Sequence, residues 1–196
     1  MIDLNKVNKL LQYIILVAGQ EDDPFSRQLG PIHLIKYLYL ADLSYAESHE
    51  GQTYTGLQWK FHHYGPWAVE AYNQIEPALS IIYAEKQTIP STKYEDDFYR
   101  WSKTNDDLCD DLFNELDLSV TGTINRLVHQ YGSDTPRLLD YTYKTAPMLN
   151  AAPGDQLNFA ATLRNTSDQI DTIEDSSCAM LTKRQEKKRT KQLLEL

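Results

Sequence analysis

Residues 29–75 constrain the fold more than any other stretch, because three local signals follow one another there without a break. Gly30-Pro31 places a proline at the first position of a helix, where its missing N–H is not needed. Ile32, Ile35, Leu38, Tyr39, Leu43 and Ala46 then recur at three- and four-residue spacing, which predicts an amphipathic helix that ends at Gly51. Leu57, Trp59, Phe61 and His63 alternate with Gln58, Lys60, His62 and Tyr64, the period of a strand with one buried face. Gly65-Pro66 predicts the stop of that strand and the start of a third helix through Glu70, Tyr72 and Ile75.

The pieces KYLYLADL at 36–43, TGLQW at 55–59 and YGP at 64–66, in this order and spacing, resemble the Panacea domain of SocA-like antitoxins. Further along, LVHQYGSDTPRLL at 127–139 is similar to that family's closing helix, YG turn and short last helix. Where family members often carry a histidine and then a tryptophan, this chain has Tyr143 and Met148. The resemblance covers residues 1–149. It implies an antitoxin, or an adaptor that presents a protein to a ClpXP-type protease, with a cognate toxin as partner.

The rest of the chain fits one ordinary domain with an appendage, since 196 residues carry 41% hydrophobic and 24% charged residues. Asp3 is a natural N-cap for a first helix with Leu4, Val7, Leu11, Ile14 and Ala18 on one stripe, widened by Leu10 and Ile15 and closed by Gly19. That apolar run lacks a basic leader and a cleavage site, and nothing approaches the ~20 apolar residues of a membrane span. Cys109 and Cys178 stand far apart with no metal spacing, so the expectation is free thiols in a cytoplasmic protein. Pro77 is expected to end or kink the third helix. Residues 85–89 and 98–103 read as strands around a turn at 90–92, able to join residues 57–64 in one small antiparallel sheet. Leu108, Leu112 and Leu116 mark a short helix. Val120, Ile124, Leu127, Val128 and Tyr131 mark a longer one closed by Gly132, and Ser133-Asp134-Thr135-Pro136 opens another. The expected class is therefore α+β, mainly α-helical: a globular domain over residues 1–149, then a polar linker and basic extension over 150–196.

Charge is unevenly spread. Residues 183–196 hold six Lys/Arg and two Glu, so the net −9 of the whole chain leaves −13 on residues 1–182. That balance makes the main domain a poor nucleic-acid binder and suits a basic protein partner, with the acidic runs at 95–97, 106–107 and 110–111 as contributors. Thirteen tyrosines against five phenylalanines point to half-buried rings with wet hydroxyls, in a small sheet or at a contact surface.

Asp42 is the anomaly of the second helix, a carboxylate among Leu38, Tyr39, Tyr45 and Ala46. A buried carboxylate must find donors or it costs several kcal/mol. Either it accepts hydrogen bonds from the loop that follows, or it serves as a catalytic acid or base. The first use fits better, because no second carboxylate or nucleophile stands beside it in a motif. His62 and His63 point to opposite faces of their strand, so one metal is not easily held by both, and His63 is expected in the core beside Trp59 and Phe61. His33, His49 and His129 form no ligand pattern, and no phosphate loop, nucleophile elbow or zinc signature occurs. No cofactor and no catalytic residue is expected.

The residues singled out for partner contact are Trp59, Tyr64, Trp67 and Tyr72, with Asp42, Gly65 and Pro66 supporting the turn behind them. Tyr64 and Trp67 have a competing use as rings packed on the helix beneath. The expected function is neutralisation of a toxin by direct complex formation. Two other classes stay open: an enzyme with a site near Asp42, and a nucleic-acid-associated regulator acting through the basic tail. The sequence is silent on the toxin and on oligomeric state.

Overall fold

A computed structural model describes residues 1–90, 97–103 and 115–161 of the chain. The turn residues 91–92, Leu108 and Leu112, both cysteines, most of the acidic runs and the basic tail lie outside the described residues.

The architecture is α+β and mainly helical. Helix α1 spans Leu4–Ala18, α2 Pro31–Ser48, α3 Val69–Ile81, α4 Leu118–Tyr131, α5 Thr135–Tyr143 and α6 Ala146–Leu149. Strands β1 (Lys60–His62) and β2 (Gly65–Trp67) form one antiparallel hairpin, and β3 (Glu85–Ile89) and β4 (Phe98–Ser102) form another.

Helix α2 is the axis of the fold, packed against α1, α3, α4, α5 and β2. Every residue from His33 to Leu43 is buried, so the helix is enclosed on all sides and not along one stripe. Val7, Leu10, Leu11, Ile14 and Ile15 of α1 and Val120, Ile124, Leu127 and Val128 of α4 complete the core around it. Local signals set the helix ends. Asp3 accepts from the N–H groups of Asn5 and Lys6, Asp117 from Ser119, and Asp134 from Arg137. Gly132 closes α4 at φ +48°, a conformation that favours glycine.

Four sequence expectations need correction. Gly65-Pro66 does not open a helix: both residues belong to β2, and α3 begins after Ala68. The strand over 57–64 shrinks to residues 60–62, and His63, past its end, is exposed and not a core residue. The two hairpins form separate two-stranded sheets and not one sheet. Helix α3 is not ended at Pro77 but continues to Ile81, with Ala71 and Ile75 before the proline and Ala78 and Leu79 after it all buried. That burial outweighs the ~3 kcal/mol that an interior proline costs.

The packed body also runs on past Leu149. Leu157 and Phe159 are core residues, and the backbone at 154–157 pairs with the outer edge of β1 through Gly154 N to Phe61 O (2.7 Å), Phe61 N to Asp155 O (2.8 Å) and Leu157 N to Trp59 O (2.8 Å).

Candidate partner-contact site

Five polar side chains of the buried stretch from His33 to Leu43, namely His33, Lys36, Tyr37, Tyr39 and Asp42, hold segments that return to α2. His33 accepts the Gly30 N–H at Nδ1 (3.1 Å), which leaves the proton on Nε2, facing Ser133 O (3.0 Å) and Thr135 Oγ1 (2.8 Å). Burial lowers its pKa to about 4, so the ring is neutral. Tyr37 donates to Gly132 O (2.6 Å), and Tyr39 shares a hydrogen bond with Thr145 Oγ1 (2.9 Å). Burial pushes both phenols well above their ordinary range. Together these three fix the α4–α5 turn and the end of α5 on α2.

Asp42 fastens the segment before β1. Its carboxylate has no exposed surface and accepts from Thr55 N (2.9 Å), Thr55 Oγ1 (2.5 Å) and Trp59 Nε1 (2.9 Å). Burial raises its pKa to about 6 against the opposing pull of these hydrogen bonds. With its oxygens closed off in this way, the group is not open to a substrate atom, which counts against an acid–base role. An open cleft of about 850 Å³ is lined by Thr55 and Trp59 together with Asp3, Lys6, Tyr45 and Tyr54, and Asp42 is not among its lining residues. Among the described residues no group of three or more His, Cys, Asp or Glu is placed to hold a metal ion.

Lys36 fastens the β1–β2 hairpin directly, whereas Asp42 holds the loop and strand entry that precede it through Thr55 and Trp59. Lys36 is 0% exposed and its Nζ donates to Pro66 O at 2.8 Å. Burial lowers its pKa to about 7. Tyr143, on α5, packs 5.9 Å from the Phe61 ring and donates to His63 O at 3.3 Å. Gly65 sits between them at φ +91°, where a Cβ would lie 3.6 Å from Lys36 Cε and Nζ and from Tyr143 Cζ.

The four residues singled out for contact do not lie together. Trp59 is only 2% exposed, bonded to Asp42 and set edge-on to Tyr39 at 5.4 Å, so it is a core residue and leaves the contact set. Tyr64 is 59% exposed at the hairpin turn and Tyr72 is 47% exposed on α3. Trp67 is half-buried and joins Tyr72 at a ring separation of 5.2 Å. His62 extends this run, 6.2 Å from Trp67 and 4.6 Å from His63. The result is an outward-facing row of four rings, His63, His62, Trp67 and Tyr72, crossing from the hairpin to α3. No carboxylate occurs from Gly51 through Val69, within a chain that has 28 of them.

A central helix thus anchors the returning loops, and the hairpin beside it presents the exposed His62, His63 and Tyr64. A family model described as antitoxin SocA-like, Panacea domain, matches residues 34–147, and the chain belongs to that family. The matched region runs from within α2 through the hairpins to the start of α6, and so includes Lys36, Tyr37, Tyr39, Asp42 and Tyr143 but not His33. No curated protein and no solved structure matches the chain. Family membership supports an antitoxin-type role in general and a protein as partner. Among the described residues no helix is long and apolar enough to cross a membrane.

Proposed function

We propose that the chain neutralises a cognate toxin by binding it directly, with Tyr64, Trp67 and Tyr72 at the contact. One observation carries this reading: the outward-facing row of rings from His63 to Tyr72 crosses to α3 from a hairpin whose backbone is fastened to the core. Tryptophan and tyrosine held in this way supply large apolar area at low entropic cost, which is the composition of energetic centres in interfaces. The acidic body steers a basic partner toward the complex, while the carboxylate-free hairpin spares the contact itself from buried negative charge. Presentation of a bound protein to a ClpXP-type protease is a variant of the same reading, since it begins with the same contact.

Co-expression with the product of the neighbouring open reading frame tests the proposal. The expected result is a neighbour toxic alone, harmless beside the intact chain, and toxic again beside a Trp67→Ala/Tyr72→Ala chain present at equal level. A neighbour still neutralised by the double variant would remove this face from the mechanism.

A further inference from the structure

We propose that Lys36 is the positioning residue of the contact face: its buried side chain fixes the β1–β2 hairpin on α2, so that the ring row is presented in one arrangement. The inference rests on reading that hairpin as the contact face.

The geometry carries it. Pro66 is buried, so its carbonyl needs a donor from inside the protein, and Lys36 Nζ at 2.8 Å supplies one. Pro66 faces Phe61 across the hairpin, and the Phe61 N–H and C=O bond to Asp155 O and Gly154 N on the other side of β1, so no cross-strand bond joins this pair and the three-residue strands leave the Pro66 carbonyl to a side-chain donor. Two side-chain anchors hold this short hairpin, Lys36 at Pro66 O and Tyr143 at His63 O. The two anchors bracket Gly65, and the next residue after Pro66 is Trp67. A shift of the Pro66 carbonyl therefore moves the indole and with it the spacing to His62 and Tyr72.

The chemistry at Nζ also sets Lys36 apart from an ordinary structural lysine. None of the ion pairs among the described residues involves it, and the titratable group beside it at Gly65 is the Tyr143 phenol. Its lowered pKa has burial as its cause and no neighbouring charge. The amine thus changes charge near neutrality in direct contact with the hairpin backbone. A lysine that merely filled space would not pass its titration to Pro66 and Trp67.

The first test needs no partner. In the full chain labelled for NMR, the Lys36 Cε resonance and the amides of Gly65 and Trp67 are followed from pH 6 to 10. The expected result is one shared midpoint, well below that of the other lysines, which the hairpin amides lose in Lys36→Met although His62 and His63, the other titratable neighbours on the hairpin, are still present. A Lys36 resonance titrating with the exposed lysines, or hairpin amides blind to its midpoint, would overturn the proposal. Lys36→Met then keeps the stem and removes the donor. Amide exchange at residues 60–67 is expected to rise about tenfold or more with the interior of α2 unchanged; equal exchange in both chains would contradict the proposal. If the midpoint is shared but Trp67→Ala/Tyr72→Ala leaves neutralisation intact, the anchor is real and it is the reading of the face that fails.

Discussion

Asp42 and Lys36 lie on the same helix, both without exposed surface, and each secures a segment that returns to α2, yet they do so in opposite ways. Asp42 is surrounded by three donors, two of them from Thr55, and the segment it holds ends in the buried Trp59. Lys36 has one acceptor, Pro66 O, and the segment it holds ends in the half-exposed Trp67. A charge-bearing group saturated with partners makes a closed, rigid joint, whereas one with a single partner makes a tether. The contrast separates scaffold from presentation: the loop before β1 belongs to the core, and the hairpin that follows is carried on it.

The largest way to break the contrast is Asp42→Ala, which leaves Thr55 N–H, Thr55 O–H and the Trp59 indole N–H buried without an acceptor. The expected loss is about 3–5 kcal/mol of folding stability, read from urea unfolding. A loss under about 1 kcal/mol would mean that the three donors find other partners.

Lys36 sharpens the contrast through pH. Its folded pKa of about 7 lies below the unfolded value of 10.5, so between those values the unfolded chain binds more protons and stability rises with pH. The slope is expected to reach about 1.4 kcal/mol per pH unit in that window and to vanish in Lys36→Met. At the acid side two groups oppose each other. Asp42 holds its proton up to about pH 6 in the folded state against 3.8 unfolded, so its contribution falls as pH rises through that range. His33, at about 4 folded against 6.5 unfolded, contributes a rise over nearly the same range. The alkaline rise is therefore the part that belongs to Lys36.

Smaller effects grade the remaining anchors. Tyr37→Phe strips a buried hydrogen bond from Gly132 O and is expected to cost about 1–2 kcal/mol in thermal or urea unfolding. Tyr143→Phe removes a longer, more exposed bond to His63 O and is expected to cost no more than about 0.5 kcal/mol, with faster amide exchange confined to the hairpin. Equal costs for the two would erase the distinction between core and tether.

Much of the scaffold was readable in the sequence, because it rests on local signals. The N-caps Asp3 and Asp134, the apolar period of α2, the glycine closing α4 and the anomalous Asp42 all announce themselves within a few residues. The hairpin did not. Strands of three residues are too short to display a period, and Gly-Pro reads equally as a helix start; only the pairing of Lys60 with Trp67 and His62 with Gly65 decides between them. Trp59 and Trp67 look alike in the sequence, but Trp59 finds Asp42 and Trp67 finds Tyr72. Lys36 was hidden by the expectation that a lysine marks a solvated face, which fails on a helix enclosed by four others. Leu157 and Phe159 were hidden among polar residues, and their burial depends on β1 offering a free edge.

The central claim is that the ring row on the hairpin and α3 is the partner's landing place. Its most direct measurement is the affinity of the purified neighbouring gene product for the intact chain and for Trp67→Ala/Tyr72→Ala, with unfolding of both chains recorded alongside. We expect the double variant to keep its stability within about 1 kcal/mol and to bind at least about 30-fold more weakly, the loss of more than 2 kcal/mol that marks an energetic centre. Equal affinity in a folded double variant would contradict the account.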